Sequence, residues 1–201
     1  MNGHRYFVLH KPRGIVSQFV SPDDVGLLGE IDFDFPEGTH AIGRLDKDSE
    51  GLLLLTTNKK VTKLLFQGAV PHTRDYLVLV KNKVSEETLH TLQTGVTFQT
   101  FGGADYHTGA CKVSIVDDPE SRYHVQLELR KDIPHTWLLI SLTEGKFHQV
   151  RKMVKAVHHR CRRLIRVAIE DVELGTLAAG AVLELDEETF FNKLKIENYL
   201  D

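Results

Sequence analysis

The segment from Gly43 to Thr56 reads Gly-Arg-Leu-Asp-Lys-Asp-Ser-Glu-Gly-Leu-Leu-Leu-Leu-Thr. Its charged residues fall between two stretches that read as short strands, His40 to Ile42 and Gly51 to Thr57, so Asp46 sits on a loop held by rigid walls. Catalytic groups are often presented in this way. A carboxylate so placed is equipped to act as a nucleophile or as a general base. Asp46 together with Glu50 would suit a hydrolase that works with paired carboxylates. The same string also fits an acidic hairpin turn with no chemistry.

A second concentration of functional side chains runs from Glu144 to Arg166. Eight basic residues (Lys146, Arg151, Lys152, Lys155, Arg160, Arg162, Arg163, Arg166) accompany one acid, Glu144, giving +7. The whole chain carries −3, which leaves −10 on the remainder. Affinity for a phosphate backbone rests on Lys and Arg releasing counterions, and a basic face on an otherwise acidic protein steers a polyanion to one place. The alternative is a solvated helix face. His148, His158, His159 and Cys161 fall in the same region, yet adjacent helical histidines point in different directions and no Cys-x-x-Cys or His-Glu-x-x-His pattern occurs. Gly102-Gly103 and Gly145 lack phosphate-loop and dinucleotide spacing. Neither a metal nor a cofactor is expected.

The elements that must position these groups follow from pattern. Tyr6 to Leu9 reads as a strand ended by the Lys11-Pro12-Arg13-Gly14 turn. The stretch from Ile15 to Glu30 is irregular. Val61, Leu64 and Leu65 give helical spacing over Lys59 to Phe66, closing near Gly68. Arg74 to Lys81 is rich in β-formers, and Ser85 with Glu86 and Glu87 caps a helix to about Thr94. Strands follow at Cys111 to Val116, Val125 to Leu129 and Trp137 to Leu142. Phe147, Val150, Val154 and Val157 make Phe147 to His158 an amphipathic helix with a basic outer face. Strands at about Arg163 to Glu173 and Val182 to Leu185 complete the set. The result is an α+β protein with a mixed, mostly antiparallel sheet and flanking helices.

Composition agrees with a globular fold: 41% apolar and 26% charged residues are close to average. A chain of 201 residues buries enough surface for one substantial domain, in one lobe or two. The longest apolar run, Tyr76 to Val80, is too short to span a bilayer, and the N-terminus lacks the apolar core of a secretory signal. A cytoplasmic protein is expected, with Cys111 and Cys161 reduced.

The Gly43 to Thr56 string resembles the central signature of the pseudouridine synthases, in the branch that modifies bacterial ribosomal RNA, almost residue for residue. Further segments follow in the family's order: Lys11-Pro12-Arg13-Gly14, Arg74-Asp75-Tyr76, Glu144 to Met153, Leu164-Ile165-Arg166 and Leu174-Gly175-Thr176-Leu177. The resemblance covers nearly the whole chain. It implies a single catalytic domain with a central active-site cleft, no cofactor, and an RNA substrate.

The resemblance also implies roles. Asp46 is the catalytic carboxylate, Arg151 its cationic partner, and Tyr76 the tyrosine whose ring stacks on the target base while its hydroxyl helps remove the C5 proton. Arginine suits the pairing because it stays charged when buried and binds a carboxylate through two parallel hydrogen bonds. Arg44 matches the basic residue that fills the space of an extruded base, a role for which a phosphate contact is the alternative. Lys11, Arg13, Lys146, His148, Gln149, Lys152, Lys155, Arg162 and Arg163 are expected along the RNA path, chiefly at phosphates. With the first strand opening at about residue 5, no S4-type RNA-binding domain is expected ahead of it. That feature and the Asp132 to Trp137 segment favour the stand-alone type acting on large-subunit ribosomal RNA, as a monomer. Small-subunit or transfer RNA, and a non-catalytic RNA-binding or assembly factor on the same fold, stay as alternatives. Lys152 departs from the arginine usual after Arg151.

Overall fold

The run Tyr6-Phe7-Val8-Leu9 is apolar at both phases of the strand alternation, which calls for cover on both faces. In the computed structural model, which describes residues 3–67, 70–125, 133–197 and 199, it belongs to β1 (Tyr6–Lys11). Tyr6 packs against Phe190 and Phe191 with centroids 4.6 and 5.4 Å apart, while Phe7 meets Phe33 and Phe35 edge to face. Next come β2 (His40–Ile42), β3 (Glu50–Thr56) and helix α1 (Val61–Gln67). β3 is buried along its whole length.

The middle of the chain forms β4 (Arg74–Lys81), α2 (Glu86–Thr94), β5 (Thr97–Gln99), β6 (Asp105–His107), β7 (Lys112–Ile115), α3 (Pro119–Tyr123), β8 (His135–Leu142) and α4 (Gln149–Ala156). The remainder is β9 (Cys161–Ile169), β10 (Val172–Glu173), β11 (Val182–Leu185) and α5 (Glu187–Lys193). The chain divides into two compact units, Met1–Arg74 with Ile165–Asp201, and Asp75–Leu164.

In the first unit β1 lies between β11 and β3, antiparallel to both, with Tyr6 opposite Leu185 and Thr56. The other edge of β3 is shared. Its end pairs with β2 (Ala41 opposite Leu55), and its start pairs in parallel with β9 (Gly51 opposite Arg166). In the second unit β7 and β8 are antiparallel, and Val78, Val80, Leu138, Ile140 and Leu142 form a core with Val150, Met153 and Val154 of α4. Burial of these aliphatic side chains drives the packing, at about 1.5–3 kcal/mol each.

The architecture is α+β with a mostly antiparallel sheet. Two of the differences from expectation have a clear local cause. The strand expected over Arg163 to Glu173 is a hairpin, because Glu170 turns the chain with φ 47° and its N–H donates to the Thr73 carbonyl. The basic helix starts at Gln149 rather than Phe147, because His148 adopts φ 56°. Phe147 is thereby 57% exposed instead of on the helix's apolar face. Most of the strand expected over Val125 to Leu129, together with Asp132, lies outside the described residues.

Candidate active site and RNA-binding face

Asp46 sits in the connection between β2 and β3, half-buried, with exposed Arg44 and buried Leu45 before it. Three sets of hydrogen bonds fix this loop. The Ser49 N–H donates to the Asp46 carbonyl at 3.0 Å, and the Gly14 N–H donates to the Lys47 carbonyl at 2.8 Å. The Ser17 hydroxyl both donates to the Leu45 carbonyl and accepts from the Leu45 N–H, each at 2.9 Å. Ser17 and Leu45 are buried, so these bonds exchange with no water. The irregular stretch after the Lys11-Pro12 turn therefore buttresses the loop that carries Asp46.

Beside the loop lies a buried charge cluster. Lys11 is 0% exposed, and its ammonium donates to the Pro12 and Ile15 carbonyls at 2.9 and 2.6 Å. Burial pulls Lys11 down to about 8, against the upward pull of the Glu50 and Asp46 carboxylates, while Arg166 adds to the lowering. Glu50 is 8% exposed. Arg166, 2% exposed, donates from Nε to the Leu52 carbonyl at 2.7 Å. Lys11, expected along the RNA path, is completely buried, and its ammonium shapes the 12–15 turn. Arg166 likewise leaves the basic face to which the sequence assigned it. Arg13 stays exposed, 3.9 Å from the exposed Asp48 carboxylate.

The second unit holds the other expected groups. Tyr76, on β4, packs half-buried against the unit's core. Arg151 lies in the first turn of α4, where its guanidinium is held 3.6 Å from Cys161 Sγ. Gln149 is 4% exposed and turned inward: it donates to Glu144 at 2.5 Å and accepts from the Lys146 N–H at 2.8 Å. Gln149, expected among the RNA contacts, closes the Glu144 to Gln149 turn through these bonds. Lys152 is engaged too, donating to the Gln99 carbonyl at 2.9 Å and lying 5.4 Å from the Phe98 ring. Lys146, Lys155 and Arg162 are exposed, and Arg163 and His148 are half-buried. Cys111 and Cys161 are not joined in a disulfide.

Sequence reasoning missed Ser17, which lies 28 positions before its partner and carries no pattern. It also missed Glu50 as the acid that shares burial with Lys11. Among the described residues, no three His, Cys, Asp or Glu side chains are grouped as metal ligands, and no helix is long and apolar enough to cross a membrane.

Residues 5–156 match the RNA pseudouridylate synthase family. The chain belongs to this family. It is 34% identical over 173 residues to "Ribosomal large subunit pseudouridine synthase E" of Xanthomonas axonopodis pv. citri (strain 306), covering 85% of this chain and 88% of that protein. It is 29% identical to "Ribosomal small subunit pseudouridine synthase A" of Yersinia pestis, over 94% of this chain and 72% of that one. A crystal structure of a pseudouridylate synthase has a TM-score of 0.77 at 27% identity, covering 96% of this chain and 75% of that chain.

Proposed function

We propose that this protein isomerises a uridine of large-subunit ribosomal RNA to pseudouridine, with Asp46 as the catalytic carboxylate. The observation that carries the reading is the family match over residues 5–156, within which Asp46 stands on a loop pinned by Ser17, Gly14 and Ser49. The reaction breaks the bond from uracil N1 to ribose C1′, turns the base, and joins C5 to C1′. N1 gains a proton and C5 loses one, so no redox cofactor is needed. Asp46 acts either as the nucleophile at C1′ or as the base at C2′.

The family resemblance makes Arg151 the proposed cationic partner of the reacting carboxylate, a role suited to a guanidinium that can bind a carboxylate through two parallel hydrogen bonds. Tyr76 stacks on the base and assists removal of the C5 proton, and Arg44 takes the space that the base vacates. Lys146, Lys155, Arg162 and Arg163 hold phosphates. The large-subunit target rests on relatives such as the Xanthomonas protein, and the Yersinia relative makes small-subunit RNA the second reading. A cytoplasmic location goes with either.

Ribosomal RNA transcribed with tritium at uridine C5 tests the chemistry, because each pseudouridine formed releases one tritium to water. Wild type releases it. Asp46→Asn and Arg151→Met do not, and Tyr76→Phe loses turnover while retaining RNA affinity. Tritium release by Asp46→Asn at the wild-type rate would sink the assignment.

A further inference from the structure

Two solvent-exposed phenylalanines in the second unit touch each other. Phe101, 90% exposed, lies in the turn between β5 and β6, and Phe147 lies in the turn leading into α4. Their centroids are 6.0 Å apart, edge to face. Phe147 also stacks on the His148 ring at 3.8 Å with planes inclined by 18°. The left-handed backbone of His148 breaks the helix before Phe147 and turns that ring outward. The bond from Lys152 to the Gln99 carbonyl ties the hairpin to α4, so the two turns are held together.

Lysines stand beside the rings. The Lys152 ammonium lies 5.8 Å from the Phe147 ring, and Lys146 lies 4.9 Å from the Tyr106 ring. Lys155 is exposed on the same helix. A protein partner would be expected to meet an apolar core depleted in charge. Flat apolar rings set among lysines instead match a ligand that is flat and apolar on its face and anionic along its backbone, namely an unpaired nucleotide.

We infer that Phe101, Phe147 and His148 form a stacking platform for an unpaired base of the substrate RNA other than the reacting uridine, with Lys146 and Lys155 at the adjoining phosphates. The inference rests on the RNA-modifying reading above and deepens it. Stacking tolerates any base but requires that the base be unpaired. The platform therefore selects a loop or bulge by shape rather than by sequence.

Phe101→Trp supplies the test. The single native tryptophan, Trp137, is 3% exposed, so the new indole reports from the surface. Single-stranded oligouridine quenches its emission on binding, and an RNA duplex of the same length does not. In parallel, the double variant Phe101→Ala with Phe147→Ala loses about tenfold or more in oligouridine affinity, the scale of one base–aromatic stack. Its salt slope stays unchanged, because the rings neutralise no phosphate. Binding of oligouridine without quenching, or unchanged affinity in the double variant, overturns the platform. Wild-type protein that releases no tritium from ribosomal RNA, while the Phe101→Trp variant is quenched as described, removes the isomerase reading and leaves the platform standing.

Discussion

Lys11 and Arg166 flank Gly51 in one row of the sheet, Lys11 opposite it on antiparallel β1 and Arg166 opposite it on parallel β9. Two cations are thus buried one residue beyond Glu50, where the Asp46 loop enters β3. Arg166 works against the charge on Lys11, and Glu50 and Asp46 work for it. The protonation of Lys11 therefore depends on the carboxylates beside it. The loop carrying the expected catalytic group is built into the sheet.

Gly51 makes that row possible. It has φ 103°, and a Cβ there would lie 2.3 Å from the Arg166 carbonyl oxygen and 2.8 Å from its nitrogen, both backbone atoms that cannot step aside. Gly51→Ala is expected to lower stability by about 2–5 kcal/mol through strain and overpacking, read as a fall in urea midpoint. A midpoint within error of wild type would show that β9 is free to shift from β3.

Lys11 gives a pH signature. Its folded value of about 8 lies below the ordinary lysine value of 10.5 that applies to the unfolded chain. Between those values the unfolded chain binds more protons, so stability from this group increases as pH rises from about 8 toward 10.5 and is lost as pH falls through 8. The urea midpoint of wild type should therefore gain on that of Lys11→Met between pH 7.5 and about pH 10. A difference that stays constant with pH would place Lys11 in contact with water.

Ser17→Ala removes both partners of the Leu45 peptide at a buried position. An unsatisfied buried backbone group costs about 1–3 kcal/mol, so a loss of about 2 kcal/mol or more is expected. Tritium release should fall chiefly in kcat, because the Asp46 loop loosens while the exposed cations of the second unit are untouched. Unchanged stability and kcat would mean that the loop is held by its other bonds alone.

Much of this arrangement was legible in the sequence. The strand Arg74–Lys81 matches its β-rich composition, and Ser85 caps α2 as its hydroxyl implies, accepting from the Thr88 N–H at 3.2 Å. The β2 strand and the Asp46 loop also follow their pattern. What escaped were elements too short for a period to show. β5 and β6 have three residues each, and α5 has seven, although Asp186 with Glu187 and Glu188 spelled out a cap that accepts from the Thr189 N–H at 2.8 Å. The Glu170 and His148 turns were hidden because each uses a positive φ at a residue other than glycine. The burial of Lys11 and Gln149, both expected along the RNA path, was not legible either. Burial beside Glu50, or against Glu144, depends on partners that no local pattern reveals.

The exposed cations of the second unit give a salt test. Replacing Lys146, Lys155 and Arg162 together by glutamine should weaken RNA binding and reduce the slope of log affinity against log salt by about 2–3, since each lost phosphate contact releases close to one counterion fewer. An unchanged slope would move the RNA path away from α4 and the segment that follows it.

The most direct measurement is a pseudouridine map of large- and small-subunit ribosomal RNA from cells that lack this protein, complemented with wild type or with Asp46→Asn. Loss of one large-subunit pseudouridine, restored by wild type and not by Asp46→Asn, is the expected result. A map that does not change on removal of the protein, or that Asp46→Asn restores in full, would contradict the assignment of Asp46 as the catalytic carboxylate of a ribosomal RNA pseudouridine synthase.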